Sequence, residues 1–63
     1  MRKFAIDWLD WRSNIIATTY VSRRDLTAAI VAAARQISGQ TKIAEAARDA
    51  HGFHVRPLGL RAE

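Results

Sequence analysis

Eight large apolar or aromatic side chains fall within residues 4–20, and a chain of 63 residues has little else with which to cover them. Phe4, Ile6, Trp8, Leu9, Trp11, Ile15, Ile16 and Tyr20 include both tryptophans. Read at 100° per residue, the segment becomes a helix with two apolar stripes. Phe4, Trp8, Trp11 and Ile15 share one line. Ala5, Leu9, Ile16 and Tyr20 share a second, roughly 120° away, with Arg12 between the two. Lys3, Asp7, Asp10 and Asn14 form the polar face. An apolar arc wider than about 100° exceeds what a surface helix turns to its own core. One stripe is therefore expected to pack inside the molecule and the other against a second molecule.

A chain this short is one domain at most, and a domain of its size buries only about 60% of the surface its unfolded form exposes. With no cysteine, neither disulfides nor a thiolate zinc site can support it. Close helix packing or oligomerisation is left, and a reducing cytoplasm is the expected location. The longest apolar run, residues 28–34, falls well short of the roughly 18 residues of a membrane span. Met1-Arg2-Lys3 opens the sequence like an export signal, but Asp7, Asp10, Arg12 and Asn14 interrupt the apolar region such a signal requires.

Ser22-Arg23-Arg24-Asp25 reads as a helix start, with Ser22 as N-cap and Asp25 in the capping-box position. The helix is expected over residues 23–38 with a narrow seam of Leu26, Ile30, Ala33 and Ile37. Beyond it two readings stand. Gly39 ends the helix as an αL C-cap and Thr41 caps a third helix over 41–50, or the helix runs through the glycine at a cost of about 1 kcal/mol. Pro57 and Gly59 make residues 53–63 an extended or irregular tail. The expected fold is all-α: a helical hairpin with a third short helix or extension over residues 1–52, forming a homodimer through the first helix.

Thr41-Lys42-Ile43-Ala44-Glu45-Ala46-Ala47 resembles the first helix of a helix-turn-helix, as in lambda-repressor-like regulators. The resemblance covers about residues 40–61 and implies DNA binding, with Lys42, Arg48, Arg56 and Arg61 on phosphates. The segment departs from the pattern in two places. Arg48 stands where a small residue precedes the turn glycine Gly52 by four positions. The recognition segment, His54 to Leu60, holds a proline and a glycine and lacks the polar run that reads base edges.

No nucleophile–base pair, phosphate-binding glycine loop or buried carboxylate pair is recognisable, and so small a chain offers little room for a pocket of roughly 300 Å³. A non-enzyme is expected. His51 and His54 lack the further ligands of a structural metal site, so no cofactor is expected either. The net charge of +4 is spread along the chain and not gathered in one block, which permits DNA binding without pointing to it. The leading expectation is a small regulator acting by protein–protein binding, similar in size and lack of chemistry to accessory proteins by which phages inhibit host factors. Phe4, Trp8, Leu9, Trp11, Arg12, Ile15, Ile16 and Tyr20 would form its protein or dimer interface, with Arg12 stacked on Trp8. Arg23, Arg24 and Arg35 would form a basic edge steering it to an acidic partner. A small DNA-binding regulator is the alternative.

Overall fold

The computed structural model of the chain describes residues 1–58. It is a three-stranded antiparallel sheet carrying one helix, and it replaces the expected all-α hairpin. Strand β1 is Arg2–Leu9, β2 is Ile15–Arg23, helix α1 is Leu26–Ile37 and β3 is Gly52–Pro57; a 3₁₀ turn, Glu45–Ala47, precedes β3. The strand order is β2-β1-β3, so the first strand of the sequence is the central one.

The expected first helix is a hairpin of strands for reasons local to it. Phe4, Ile6 and Trp8 alternate with Ala5, Asp7 and Leu9, which gives β1 two distinct faces. In β2, Ile15, Ile16, Thr18, Thr19 and Val21 are β-branched, stiff at χ1 and better suited to a pleated surface than to a helix. Between the strands Asp10 and Asn14 supply turn chemistry that a continuous helix would waste. A homodimer built on two apolar helix stripes is therefore overturned along with the helix.

Phe4, Ile6 and Trp8 pair across β2 with Val21, Thr19 and Ala17, and across β3 with Pro57, Val55 and Phe53. These side chains line the face on which α1 packs. Ile6, Trp8, Ala33 and Ala47 form the buried centre, with Ala17, Val21, Ile37, Ile43, Ala50, Phe53 and Val55 packed around it. Trp8 lies in tilted contact with Phe53, 5.9 Å between ring centroids. Its indole Nε1 donates to Thr19 Oγ1 at 2.8 Å, so the largest core side chain is also polar-satisfied. Ala29 and Ala33 are the fully buried residues of α1, and their small side chains let the helix approach the sheet closely.

The helix starts three residues later than the capping-box reading placed it. Asp25, in extended conformation, is the N-cap, and its carboxylate accepts from the Ala28 N–H at 2.8 Å. Asp25→Ala is expected to cost about 1 kcal/mol, lowering the melting temperature by about 4–8 °C; Ser22→Ala should leave the melting curve unchanged. At the other end Gly39 has φ +86°, the αL conformation expected of it, and α1 stops there. No third helix follows. Ala44 is extended, with ψ 142°, and only the single 3₁₀ turn forms within residues 41–50. Residues 53–57, expected as an irregular tail, complete the sheet as part of β3.

Candidate functional site

The β1–β2 hairpin closes over residues 10–14, and Asp10 organises that loop. Its Oδ1 accepts from the Arg12 N–H at 2.8 Å and the Asn14 N–H at 2.9 Å. Ser13 N–H donates to Asp10 O at 3.0 Å, and Asp10 N–H to Asn14 O at 2.9 Å. Ser13, at φ +67°, takes the left-handed position that closes a three-residue hairpin loop. So fixed a backbone presents Trp11 and Arg12 outwards. Trp11 is 72% exposed, and the Arg12 guanidinium lies over its ring, 4.6 Å from the centroid. The expected stacking of Arg12 on Trp8 is thus corrected: Trp8 is fully buried, and Arg12 pairs with its neighbour instead.

The sheet face opposite α1 carries a second constellation. Asp7 sits at its centre, nearly buried, in a row with Thr18 on β2 and His54 on β3. Thr18 Oγ1 donates to Asp7 Oδ1 at 2.9 Å, and Arg56 Nε to Asp7 Oδ2 at 2.9 Å. His54 Nδ1 is 4.0 Å from Asp7 Oδ2. The Arg56 hydrogen bond holds the Asp7 carboxyl below its usual value. Burial opposes it, and the Thr18 hydroxyl and the charges of Arg56 and His54 add to the lowering. The same hydrogen bond to Asp7 raises Arg56. Arg56 and Tyr20 flank Ala5 in the next row, which accounts for the complete burial of a small residue on an otherwise open face. Asp7 thus ties both outer strands to the central one, through Thr18 on β2 and Arg56 on β3, with the His54 imidazole beside it.

A third surface lies beside α1. Arg23 at the end of β2, Arg35 on α1, and Thr41 and Lys42 beyond it line one open groove together with Ala28 and Val31. Among the described residues the ion pairs are those of Asp7, so none of these three cations has a carboxylate partner. Comparison with protein-family models, curated proteins and solved structures returns no match. The chemistry of these surfaces therefore carries the functional argument.

Several sequence-predicted residues change place. Phe4 and Trp8 are core, and Leu9 is half-buried, so the proposed interface loses three of its members. Trp11, Arg12, Ile15, Ile16 and Tyr20 remain exposed, now on the hairpin. Of the basic edge, Arg23 and Arg35 meet in the groove with Lys42, while Arg24 is exposed but does not line it. The phosphate-contact set is divided. Lys42 and Arg48 line a neighbouring hollow, Arg56 is bound to Asp7 on the sheet, and Arg61 lies outside the described residues. The helix-turn-helix reading fails with it, because residues 41–44 form no helix and His54, Val55 and Arg56 belong to a strand.

The structure also contains larger hollows than expected, one of about 610 Å³ lined by Phe4, Leu26, Pro57 and Leu58 with Met1, Arg2 and Lys3. Among the described residues its lining holds no acid, thiol, hydroxyl or imidazole. Among the described residues no group of His, Cys, Asp or Glu could hold a metal, and no helix is long and apolar enough to cross a membrane. Sequence reasoning missed the Asp7–Arg56 pair. Forty-nine residues separate its members, and no local pattern marks such a contact.

Proposed function

We propose that the protein is a small non-enzymatic binding module that attaches to another protein through the tip of its β1–β2 hairpin. The observation that carries this reading is Trp11, 72% exposed and stacked under Arg12, on a turn that the Asp10 carboxylate holds in place. Trp and Arg are enriched among the residues that dominate binding energy. A tip already fixed before binding loses little conformational freedom when it docks. Ile15, 62% exposed, extends the apolar contact from the tip on to β2. The net charge of +4 favours an acidic partner surface, mainly by speeding encounter.

The test is capture from nuclease-treated native lysate with the wild type, Trp11→Ala and Arg12→Ala. A protein held by the wild type should be lost or weakened by more than about tenfold with Trp11→Ala, while the melting curve stays in place. Equal retention by Trp11→Ala would exclude the tip as the contact.

Nucleic acid is the second reading, favoured by the convergence of Arg23, Arg35 and Lys42 on one groove, with no carboxylate partner among the described residues. It makes a different prediction. Binding to a DNA duplex would weaken steeply between about 50 and 200 mM salt and would fall on replacing these three cations, with Trp11→Ala having no effect.

A further inference from the structure

The sheet face turned away from α1 is open among the described residues, because Ile43, Ala47 and Ala50, like α1, pack on the side of Ile6 and Trp8. Three rows cross it. Ser22, Lys3 and Leu58 make the first, Tyr20, Ala5 and Arg56 the second, and Thr18, Asp7 and His54 the third. The register is regular through all three, since the shift in β1–β2 pairing comes only between Trp8 and Leu9. Rows two residues apart are separated by roughly 6.7 Å and neighbouring strands by about 4.8 Å. The backbone positions of Tyr20 and His54, two strands and one row apart, are therefore about 12 Å from each other.

Charge on this face is one-sided. Lys3 and Arg56 stand on it, and Arg2 and Arg23 pair at its adjoining end. Against them the three strands hold one acid, Asp7, which is 6% exposed and already engaged by Arg56 and Thr18. A ligand arriving here meets cations and hydroxyls and almost no negative charge. It also meets rings. Tyr20 is 65% exposed and the His54 side chain 67%, so both planar groups face solvent. Beside Tyr20 a hollow of about 510 Å³ opens towards Leu58, with Lys3 and Ser22 in its lining.

We propose that this open face binds single-stranded nucleic acid. One unpaired base stacks on the Tyr20 ring beside the hollow, a neighbouring base meets the His54 imidazole, and Lys3 and Arg56 take the phosphates between them. Rings exposed next to cations suit unpaired bases, since every base has a flat face to stack and every link a phosphate. A duplex does not suit them. Its bases are already stacked, and its grooves admit a helix or a two-stranded ribbon, not a flat face three strands wide. A second copy of the chain, laid face to face, would set Lys3 and Arg56 against the same cations. An acidic polypeptide matches the charge and leaves the two rings unmatched. The face is distinct from the Trp11 tip and from the Arg23, Arg35 and Lys42 groove, so it stands or falls independently of both.

Fluorescence anisotropy with labelled oligo-uridine and oligo-deoxythymidine, at about 50 mM salt, reads the binding directly. Tyr20→Leu removes the ring while keeping a side chain over Ala5, and should weaken the wild-type affinity by about tenfold or more. Tyr20→Phe should retain it. Replacing Arg23, Arg35 and Lys42 together should leave most of the binding in place. The wild type also offers a check without mutation. Tyr20 is the one tyrosine of the sequence, and its ring protons should move upfield in the nuclear magnetic resonance spectrum as a base stacks on them. A wild type that binds neither oligonucleotide overturns the proposal. So does equal affinity for a duplex of the same length or for polyglutamate, or undiminished binding by Tyr20→Leu. If Tyr20→Leu melts early, the ring shift decides, and Tyr20 protons unmoved in the wild-type complex overturn the proposal. Binding lost with the three groove cations and kept by Tyr20→Leu assigns the nucleic acid to the groove and overturns the open face.

Discussion

Trp8→Ala is expected to leave the chain largely unfolded at 25 °C. Native domains hold about 0.05–0.15 kcal/mol of stability per residue, which for a chain this short comes to about 3–9 kcal/mol. Removing a fully buried tryptophan costs about 3–5 kcal/mol, because the cavity it leaves closes only in part. Trp8 is the largest fully buried side chain, in contact with Phe53 and hydrogen-bonded to Thr19, and the remaining core is mostly alanine. Four alanines cannot rearrange to fill an indole-sized void. A circular dichroism melt decides it: the variant should show no cooperative transition near that of the wild type. Trp11→Ala is the contrast. It removes the same side chain from an exposed tip, and its effect on the melt should stay within about 0.5 kcal/mol. Two tryptophans three residues apart thus divide cleanly between support and presentation, and similar melts for the two variants would contradict the placement of Trp8.

The second large effect concerns acid. The folded state holds Asp7 below its ordinary value of 3.8, first through the Arg56 hydrogen bond. A lowered folded value means the unfolded chain takes up the proton more readily. The stabilisation is therefore complete above the unfolded value and is lost as pH falls through 3.8 to the lowered folded one. Wild-type denaturation midpoints measured at successive pH values should be level near neutrality and decline across that acid window. Asp7→Asn should remove this part of the decline. At neutral pH it should cost about 1.5–3 kcal/mol, the scale of a lost hydrogen bond to a charged group. An unchanged acid profile in Asp7→Asn would show that other carboxylates carry the acid sensitivity. Thr18→Val separates the smaller hydroxyl contribution from the larger one of Arg56.

What was legible in the sequence followed from local chemistry. The alanine-rich helix and its stop at Gly39 are short-range features, and both can be read from composition and one αL glycine. The strands were misread because two periods fit the same residues. Phe4, Trp8 and Trp11 satisfy helical spacing, while Phe4, Ile6 and Trp8 satisfy alternation, and a short apolar segment does not distinguish them. The β-branched density of residues 15–21 and the Asp10 to Asn14 turn could have decided in favour of strands. The alternation along β2 is obscured by a shift in register between Trp8 and Leu9, which pairs Leu9 with Ile15 and leaves Ile16 as an extra residue. β3 was hidden for a different reason. Gly52 and Pro57 punctuate a short segment that becomes a strand only because β1 has a free edge to receive it. The surplus apolar surface of residues 4–20 was real, but its division runs between the two faces and the edge of a sheet.

The central position of β1 also determines the order in which the molecule can be assembled. The hairpin and α1 are each built from neighbours in sequence and can form within about microseconds. The third strand must return to a partner 49 residues away, the separation of Asp7 and Arg56, and bears the loop-closure entropy of that distance. Until it arrives, β1 presents an unpaired inner edge, and Ile6 and Trp8 lack the cover of Val55 and Phe53. Docking of the last strand is thus the step that closes the inner edge of β1 and completes the cover of Ile6 and Trp8. The Asp7–Arg56 ion pair acts as the latch that holds the late-arriving strand in register.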